Sequence, residues 1–404
     1  MKKVAIIGTA GIPSRYGGFE TLAHHLVDQL NSKFKLYVYC SKNYYKKEER
    51  VRYFNKARLF YLPFNANGIQ SIIYDIVSVL HALFYADTLI VLGVSGGILI
   101  PFVKKFTRKK IIVNIDGLEW RRDKWSSPVK KFLKLSERLA VKYSDADITD
   151  NEAIQRYTAI NYKTLSHLIE YGADHVISKK LTNEDYLQYP FLRNPYAFKV
   201  CRIEPENNIH LILEAFATLS DKTLVIIGNW ANSEYGKKLK EKYSTTPKIH
   251  LLDPIYDQVK LDKIRSNCYI YLHGHSAGGT NPSLVEAMYL GLPVIAFDVS
   301  YNRFTTENKA FYFKEVSELI QIIKSKRIID YQNNKASMLE IAHRRYTWRI
   351  IAQKYTNLIY CFDYKFQKNS IHSNTSNLDY SFLQQQGLAH LKRPKLFYEE
   401  DTNY

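Results

Sequence analysis

The stretch Ile270–Phe297 reads IYLHGHSAGGTNPSLVEAMYLGLPVIAF. It opens on an apolar run of strand length, Ile270–His273, and breaks into a glycine-rich loop. Asn281 is suited to cap a helix and Pro282 to begin one. Gly291 and Pro293 end that helix, and Val294–Phe297 forms a second apolar run. The order is strand, loop, helix, strand. Unbroken Val/Ile/Leu runs fit strands covered on both faces, so the unit belongs to a parallel sheet.

The same arithmetic repeats outward along the chain. Further strands are expected at Val4–Gly8, Lys35–Cys40, Leu89–Gly93, Ile111–Ile115, Ala146–Thr149, Ala197–Arg202, Thr223–Gly228 and Ile249–Leu252. Helical patterns fall between them, as in Phe19–Leu30, where Leu22, Leu26 and Leu30 form one stripe. Two series of βαβ units predict an α/β protein of two doubly wound, Rossmann-like domains facing a central cleft. The stretch Tyr186–Pro195 has two prolines and no periodicity, and the domain boundary is placed there. The expected division is 1–190 and 191–345, a closing helix in 346–363 with Thr347 as its N-cap, and a C-terminal extension, 364–404. The extension is rich in Ser, Asn, Gln and Lys, with one weak helix at Ser381–His390.

The chain has 404 residues, 57 Lys+Arg against 39 Asp+Glu and a net charge of +18. That excess implies an anionic partner: nucleic acid, a phosphorylated substrate or an acidic lipid surface. Cys40, Cys201, Cys268 and Cys361 lie far apart, which argues against a zinc site or a disulfide framework and for a reducing compartment. The run Val4–Gly8 is too short for a signal-peptide core. The most apolar region, Ser71–Val103, is interrupted by Asp75, His81 and Asp87 and contains Ser95-Gly96-Gly97. It reads as helix, buried strand, loop and helix, because a membrane span needs about 20 continuous apolar residues.

Two loops carry chemistry. Gly8–Glu20 (GTAGIPSRYGGFE) follows a strand and opens a helix. Its glycines let backbone N–H groups approach an anion at a helix N-terminus; a merely tight βα turn is the alternative. A dinucleotide fingerprint is rejected. The spacing is not GxGxxG, and the second strand ends in Val38-Tyr39-Cys40-Ser41, without a ribose-binding acid. The second loop, His273–Asn281, leads into a short helix whose free N–H groups suit a second diphosphate contact. Glu286 lies about one turn inside. There a carboxylate accepts hydrogen bonds from ribose hydroxyls, and on so apolar a helix it needs a partner.

GGTNPSLVEAMYLGLPVIAFD is similar to the donor-site signature of glycosyltransferase family four, retaining enzymes of the GT-B fold. CRIEPENNIHLILEAF (Cys201–Phe216) resembles that family's first strand-loop-helix of the C-terminal domain. GTAGIPSRYGGFETLAHHL and NIDGLEWRRDKW resemble the bacterial rhamnosyltransferases of capsule and cell-wall polysaccharide assembly. The resemblance spans residues 3–360. It implies that Gly17 and Gly18 contact the donor diphosphate, that Arg202 neutralises it and that Glu286 binds ribose. The family's Lys five residues after the Arg is Asn207 here, so Arg202 or Arg15 must compensate. The family's first Glu is Gly278 here, which leaves the sugar to Gly279, Thr280 and Asn281, beside Pro282, Ser283 and Leu284 of the first helical turn. A deoxy sugar fits that loss.

Asp116 takes the place of a family His near the transferred sugar and is the expected acceptor-side base or sugar ligand, with Glu119 second. A turn cap at Gly117 is the alternative role of Asp116. Ser144-Asp145-Ala146-Asp147 contains a DxD but leads into a buried strand, so no metal and no other cofactor is expected. His273 and His275 flank the donor loop, where a phosphate or sugar contact is the functional reading. The expected activity is transfer of L-rhamnose from dTDP-L-rhamnose to a lipid-pyrophosphate-linked saccharide. Transfer of glucose, galactose or an N-acetylhexosamine is the alternative. No RNP-like or helix-turn-helix pattern supports a nucleic-acid partner. Basic residues crowd between Lys104 and Arg138, Lys124 among them, and Val129–Leu135 is amphipathic at helical spacing. That face suits an anionic membrane surface, or only solvent. The expected location is cytoplasmic, peripheral on the inner face of the plasma membrane.

Overall fold

The computed structural model describes residues 1–15, 17–122, 125–364 and 368. The expected helix at Ser381–His390, nearly all of the 364–404 extension and Lys124 lie outside them. Contacts between Cα atoms divide the chain into two compact units. Unit 1 is Met1–Ser14, Leu30–Ile169 and the residues from Tyr355 on; unit 2 is Arg15–Gln29 and Glu170–Lys354.

Unit 1 is built on one sheet. Its strands are β1 (Lys3–Ile7), β2 (Lys35–Ser41), β3 (Tyr53–Phe54), β4 (Ala57–Leu62), β5 (Thr88–Leu92), β6 (Lys110–Asn114), β7 (Ala146–Thr149) and β8 (His167–Leu168). Their order is β3-β4-β2-β1-β5-β6-β7-β8, parallel except for the β3–β4 pair. The central strands are Val/Ile/Leu runs buried on both faces, as their composition requires. The pairs β3–β4 and β7–β8 mark the sheet edges, and β3, β4 and β8 were not legible in the sequence. In ARLFYL of β4, Arg58 stacks on Phe60, so the strand reads as mixed rather than apolar.

The helices α1 (Gly18–Leu30), α2 (Gln70–Ala82), α3 (Ile100–Phe106), α4 (Ser127–Tyr143) and α5 (Glu152–Tyr162) connect these strands; of α1, only Leu30 counts with unit 1. The region Ser71–Val103 is helix, strand, loop and helix, as expected, and no helix among the described residues is long and apolar enough to cross a membrane. Right-handed crossovers put α2 to α5 on one face of the sheet, because the chain runs from β4 to β8 in one direction across it. The two DxD acids are structural. Asp145 accepts from Lys104 Nζ (2.8 Å) and the Ile111 amide (2.8 Å), and Asp147 binds Ser166 and Lys368.

Unit 2 holds a second parallel sheet, from β9 (Tyr196–Val200), β10 (Thr223–Ile227), β11 (Ile249–Leu252), β12 (Ile270–His273), β13 (Val294–Phe297) and β14 (Phe311–Phe313), in the order β11-β10-β9-β12-β13-β14. Its helices are α6 (Asn183–Gln188), α7 (Ile209–Thr218), α8 (Glu234–Tyr243), α9 (Gln258–Ser266), α10 (Pro282–Tyr289), α11 (Ser300–Thr305), α12 (Val316–Ser325) and α13 (Ile328–Arg345). Ile203, Ile212, Phe216, Leu224, Ile226, Leu272 and Phe313 meet in one core cluster.

The stretch Tyr186–Pro195 lies inside unit 2 rather than at its edge. The chain before it is already bonded there: the Ile177 amide donates to Asp262 and Lys263 pairs with Asp185 at 2.8 Å. The closing helix α14 (Trp348–Cys361) begins in unit 2. Thr347 Oγ1 lies 3.5 Å from the Ile350 amide, while Asp174 accepts the Trp348 amide at 2.6 Å. Its later residues count with unit 1, where Asn114 Nδ2 donates to Tyr355 Oη at 3.2 Å.

Candidate functional site

The candidate site of unit 2 gathers at the C-terminal ends of β9 and β12. α10 starts as its sequence dictates. Asn281 Oδ1 accepts from the Ser283 amide at 3.0 Å and from Ser283 Oγ at 2.8 Å, and Pro282 occupies the first helical position. It stops at Gly291, whose φ of +64° suits glycine, with the Gly291 and Leu292 amides donating back to Met288 and Ala287. The Gly17-Gly18 turn lies beside this helix start. A Cβ on Gly18 would stand 3.7 Å from Pro282 Cγ and 3.5 Å from Tyr171 Oη. Gly17 has φ +126°, and its carbonyl accepts from the Thr21 amide and hydroxyl. Residues from far apart in the sequence thus line one helix N-terminus, where the dipole favours an anion.

Glu286 is the electrostatic centre. One carboxylate oxygen pairs with Arg265 Nη1, and the other lies 3.1 Å from His175 Nε2. Burial would raise its pKa, but the Arg265 guanidinium and the His175 hydrogen bond outweigh it and hold the group at about 2. Arg265 is itself buried and fixed by Asp262, whose Oδ1 takes Nε at 3.0 Å and Nη2 at 2.6 Å. Trp348 Nε1 donates to His175 Nδ1 at 3.1 Å. An indole only donates, so Nδ1 is the acceptor and Nε2 carries the proton offered to Glu286. His25 stacks on Trp348 at 4.4 Å, and its pKa falls to about 3 through burial and the neighbouring His175 and His24. Glu286 therefore stays an anion with lone pairs to spare, its side chain 15% exposed.

Several expected residues sit differently. Asn207 is buried, with Nδ2 donating to the Arg202 carbonyl (2.9 Å) and Oδ1 meeting His275 Nδ1 (3.1 Å). Its amide thus ties two loops together. The Ser283 amide is satisfied by its cap and the Leu284 amide by the Asn281 carbonyl, and Leu284 is wholly buried. Ser283 Oγ also accepts from Tyr271 Oη. The expected free N–H groups are thus not those of Ser283 and Leu284. His273 lies beneath the loop at 1% exposure, with neither ring nitrogen bonded, and burial keeps it neutral. A buried ring does not reach a phosphate. Lys199 on β9 is likewise fully buried, its amine without a partner.

Arg202 is exposed just past the end of β9, and Arg15 is exposed on the chain leading into α1. Gly278 has φ +91°, a conformation that disfavours the glutamate otherwise expected there. Gly279, Thr280 and Asn281 follow it into α10. In unit 1, Asp116 has φ +58° and its amide donates to Asn114 Oδ1 at 3.1 Å. A non-glycine residue held left-handed is a strained position of the kind that marks functional sites. Glu119 accepts from Trp125 Nε1 at 3.0 Å and pairs with Arg122 at 3.0 Å, which makes it a loop brace. Sequence reading missed Arg265, His175, Trp348 and His25. The only signal was the need of Glu286 for a partner on an apolar helix.

Comparison with known proteins adds the family context. Residues 1–174 match a domain of unknown function (DUF1972), and residues 189–326 match glycosyl transferases group 1. No curated protein matches by sequence. Among solved structures, sucrose-phosphate synthase from Thermosynechococcus elongatus is similar at TM-score 0.74 and 14% identity, covering 90% of this chain and 99% of that one. HepE from Anabaena, in complex with UDP and glucose, gives TM-score 0.66 and 14% identity, over 89% of this chain and 100% of its own. The catalytic domain of starch synthase IV from Arabidopsis thaliana, bound to ADP and acarbose, gives 0.64 and 13%, over 89% and 98%. The chain is therefore an α/β protein of the GT-B glycosyltransferase fold, and its residues 189–326 are similar to glycosyl transferases group 1.

Proposed function

We propose that this chain is a retaining glycosyltransferase that moves L-rhamnose from dTDP-L-rhamnose to a lipid-pyrophosphate-linked saccharide in capsular or cell-wall polysaccharide synthesis. The observation that carries the reading is the start of α10: the Gly17-Gly18 turn packs against Pro282, and Glu286 is fixed as an anion by Arg265 and His175. The helix dipole and Arg202 suit a diphosphate leaving group, whose charge grows as the sugar becomes oxocarbenium-like. Glu286 suits the ribose hydroxyls. Gly278, with no side chain, leaves fewer groups for sugar hydroxyls, which suits a deoxy sugar. Asp116 is the proposed acceptor-side base or sugar ligand. The resemblance supports retention at the anomeric carbon. The proposed location is the inner face of the plasma membrane, with α4 toward anionic lipid. A second reading, glucosyl transfer, is favoured by the HepE complex with UDP-glucose.

The test is a panel of nucleotide sugars with a short-chain lipid-pyrophosphate saccharide, read by mass spectrometry of the product. Rhamnose added from dTDP-L-rhamnose is expected, and Glu286→Ala or Arg202→Ala should abolish it. Glucose added from UDP-glucose, with no rhamnose, overturns the sugar. Full activity of Glu286→Ala overturns the donor site.

A further inference from the structure

Helix α2 is inside out. Its sheet-facing side buries Ser71, Tyr74, Asp75 and Ser78 beside Val79 and Ala82. Its outward side carries Ile73 and Leu80, with Ile69 just before the helix and Phe84 just after it. Ile69 is 68% exposed and Phe84 85%. Spacings of four, seven and four residues put these side chains on one helical stripe. A solvated helix carries charge on its outer face; this one carries none.

The neighbouring helices extend the surface. α3 buries Ile100 and Val103 and exposes Phe102 (60%) and Phe106 (73%) beside Lys105. α4 buries Leu133, Ser136, Glu137, Ala140 and Val141 and exposes Lys131, Lys134 and Arg138 around Leu135. The three helices lie on the same face of the unit 1 sheet. The loop before α3 joins them: a Cβ on Gly96 would meet Asp75 of α2, and one on Gly97 would meet Ser136 and Ala140 of α4. The only acids in α2, α3 and α4 are Asp75 and Glu137, both buried. The outer face is therefore apolar on α2 and α3, basic on α4, and free of exposed acid along all three helices.

We infer that this face is a monotopic membrane-docking surface, with the α2 and α3 side chains entering the acyl boundary of an anionic bilayer and the α4 cations at its headgroups. Charge complementarity selects the occupant: a basic rim without acids matches anionic lipid, whereas a face that pairs two copies would set those cations against each other. Large exposed apolar patches on soluble chains mark interaction sites. The inference deepens the peripheral placement proposed above, from electrostatic contact by α4 to insertion by α2 and α3, and it stands apart from the donor site.

The test is flotation of the full chain with neutral phosphatidylcholine vesicles and with vesicles containing phosphatidylglycerol, at low and high salt. Flotation with the anionic vesicles is expected, with part of it surviving high salt, because salt screens charge but not apolar burial. Leu80→Ser/Phe84→Ser should lower partitioning roughly tenfold or more and remove the salt-resistant part. Lys131→Ala/Lys134→Ala should remove the preference for anionic lipid. Both pairs are exposed, so circular dichroism and melting should match the parent chain. Glu286→Ala should float like the parent, so loss of transfer without loss of flotation would fault only the catalytic reading. Unchanged flotation of Leu80→Ser/Phe84→Ser overturns the inference. So does a concentration-dependent dimer in sedimentation that this variant abolishes, which would make a second copy the occupant.

Discussion

In the cluster Asp262–Arg265–Glu286–His175, one guanidinium pairs with two carboxylates. Removing Arg265 as Arg265→Met leaves two carboxylates facing a site from which their counter-charge is gone. Glu286 sits at about 2 in the folded chain against an ordinary 4.5. At 1.36 kcal/mol per pKa unit, the difference corresponds to about 3 kcal/mol. The folded value is the depressed one. The contribution is therefore fully present above pH 4.5 and is lost as pH falls from there towards 2. Breaking a buried pair by removing one partner costs about 3–5 kcal/mol at neutral pH. Arg265→Met should fall in that range, and its stability should no longer drop through the same acid window. Glu286→Gln, which leaves Arg265 with Asp262, should cost less. The assay is urea unfolding of the parent, both single variants and the double variant at pH 7, 5 and 3, followed by tryptophan fluorescence. Trp348 donates to His175 and so reports on this cluster. The double variant should be little worse than Arg265→Met alone, a coupling of about 2–3 kcal/mol. Additivity within about 0.5 kcal/mol would refute the pairing as the reason Glu286 stays ionised.

Three further outcomes are expected. Gly278→Glu should restore neither donor affinity nor transfer rate and should cost about 1–2 kcal/mol, because a side chain is strained at φ +91°; a gain in nucleotide affinity by calorimetry would contradict it. Lys199→Met should raise the melting temperature of unit 2 by several degrees, since it removes a buried amine without a partner. That gain should shrink as pH approaches 10.5, because burial lowers the folded pKa of Lys199 and the parent is stabilised as pH rises towards the unfolded value. Arg202→Ala should weaken nucleoside diphosphate binding roughly tenfold to a hundredfold with melting unchanged, since the side chain is exposed; equal affinity in calorimetry would remove Arg202 from the site.

Much of the architecture is legible in the sequence because it is local. Four-residue apolar runs such as Val294–Phe297 read directly as strands, since burial on both faces leaves no polar position. The bounds of α10 follow from Asn281, Pro282 and Gly291, each of which acts on its own backbone. Edge strands such as β8 are too short and too mixed to carry a periodic signal.

The site divides along the same line. Sequence determined that Glu286 is an acid on an apolar helix and that Gly17-Gly18 opens another. Which groups hold that acid was decided only by tertiary structure, because Arg265, His175, Trp348 and His25 converge from distant segments through side-chain length and burial. The same holds for Asn207, whose amide ties two loops together through partners that its own sequence neighbourhood does not reveal. It holds for α2 as well. Its apolar residues are visible in the sequence, but which of them face outward depends on the sheet it packs against. Local signals arise from a residue's own backbone and nearest turn; partnership and exposure arise from what the rest of the chain places beside it.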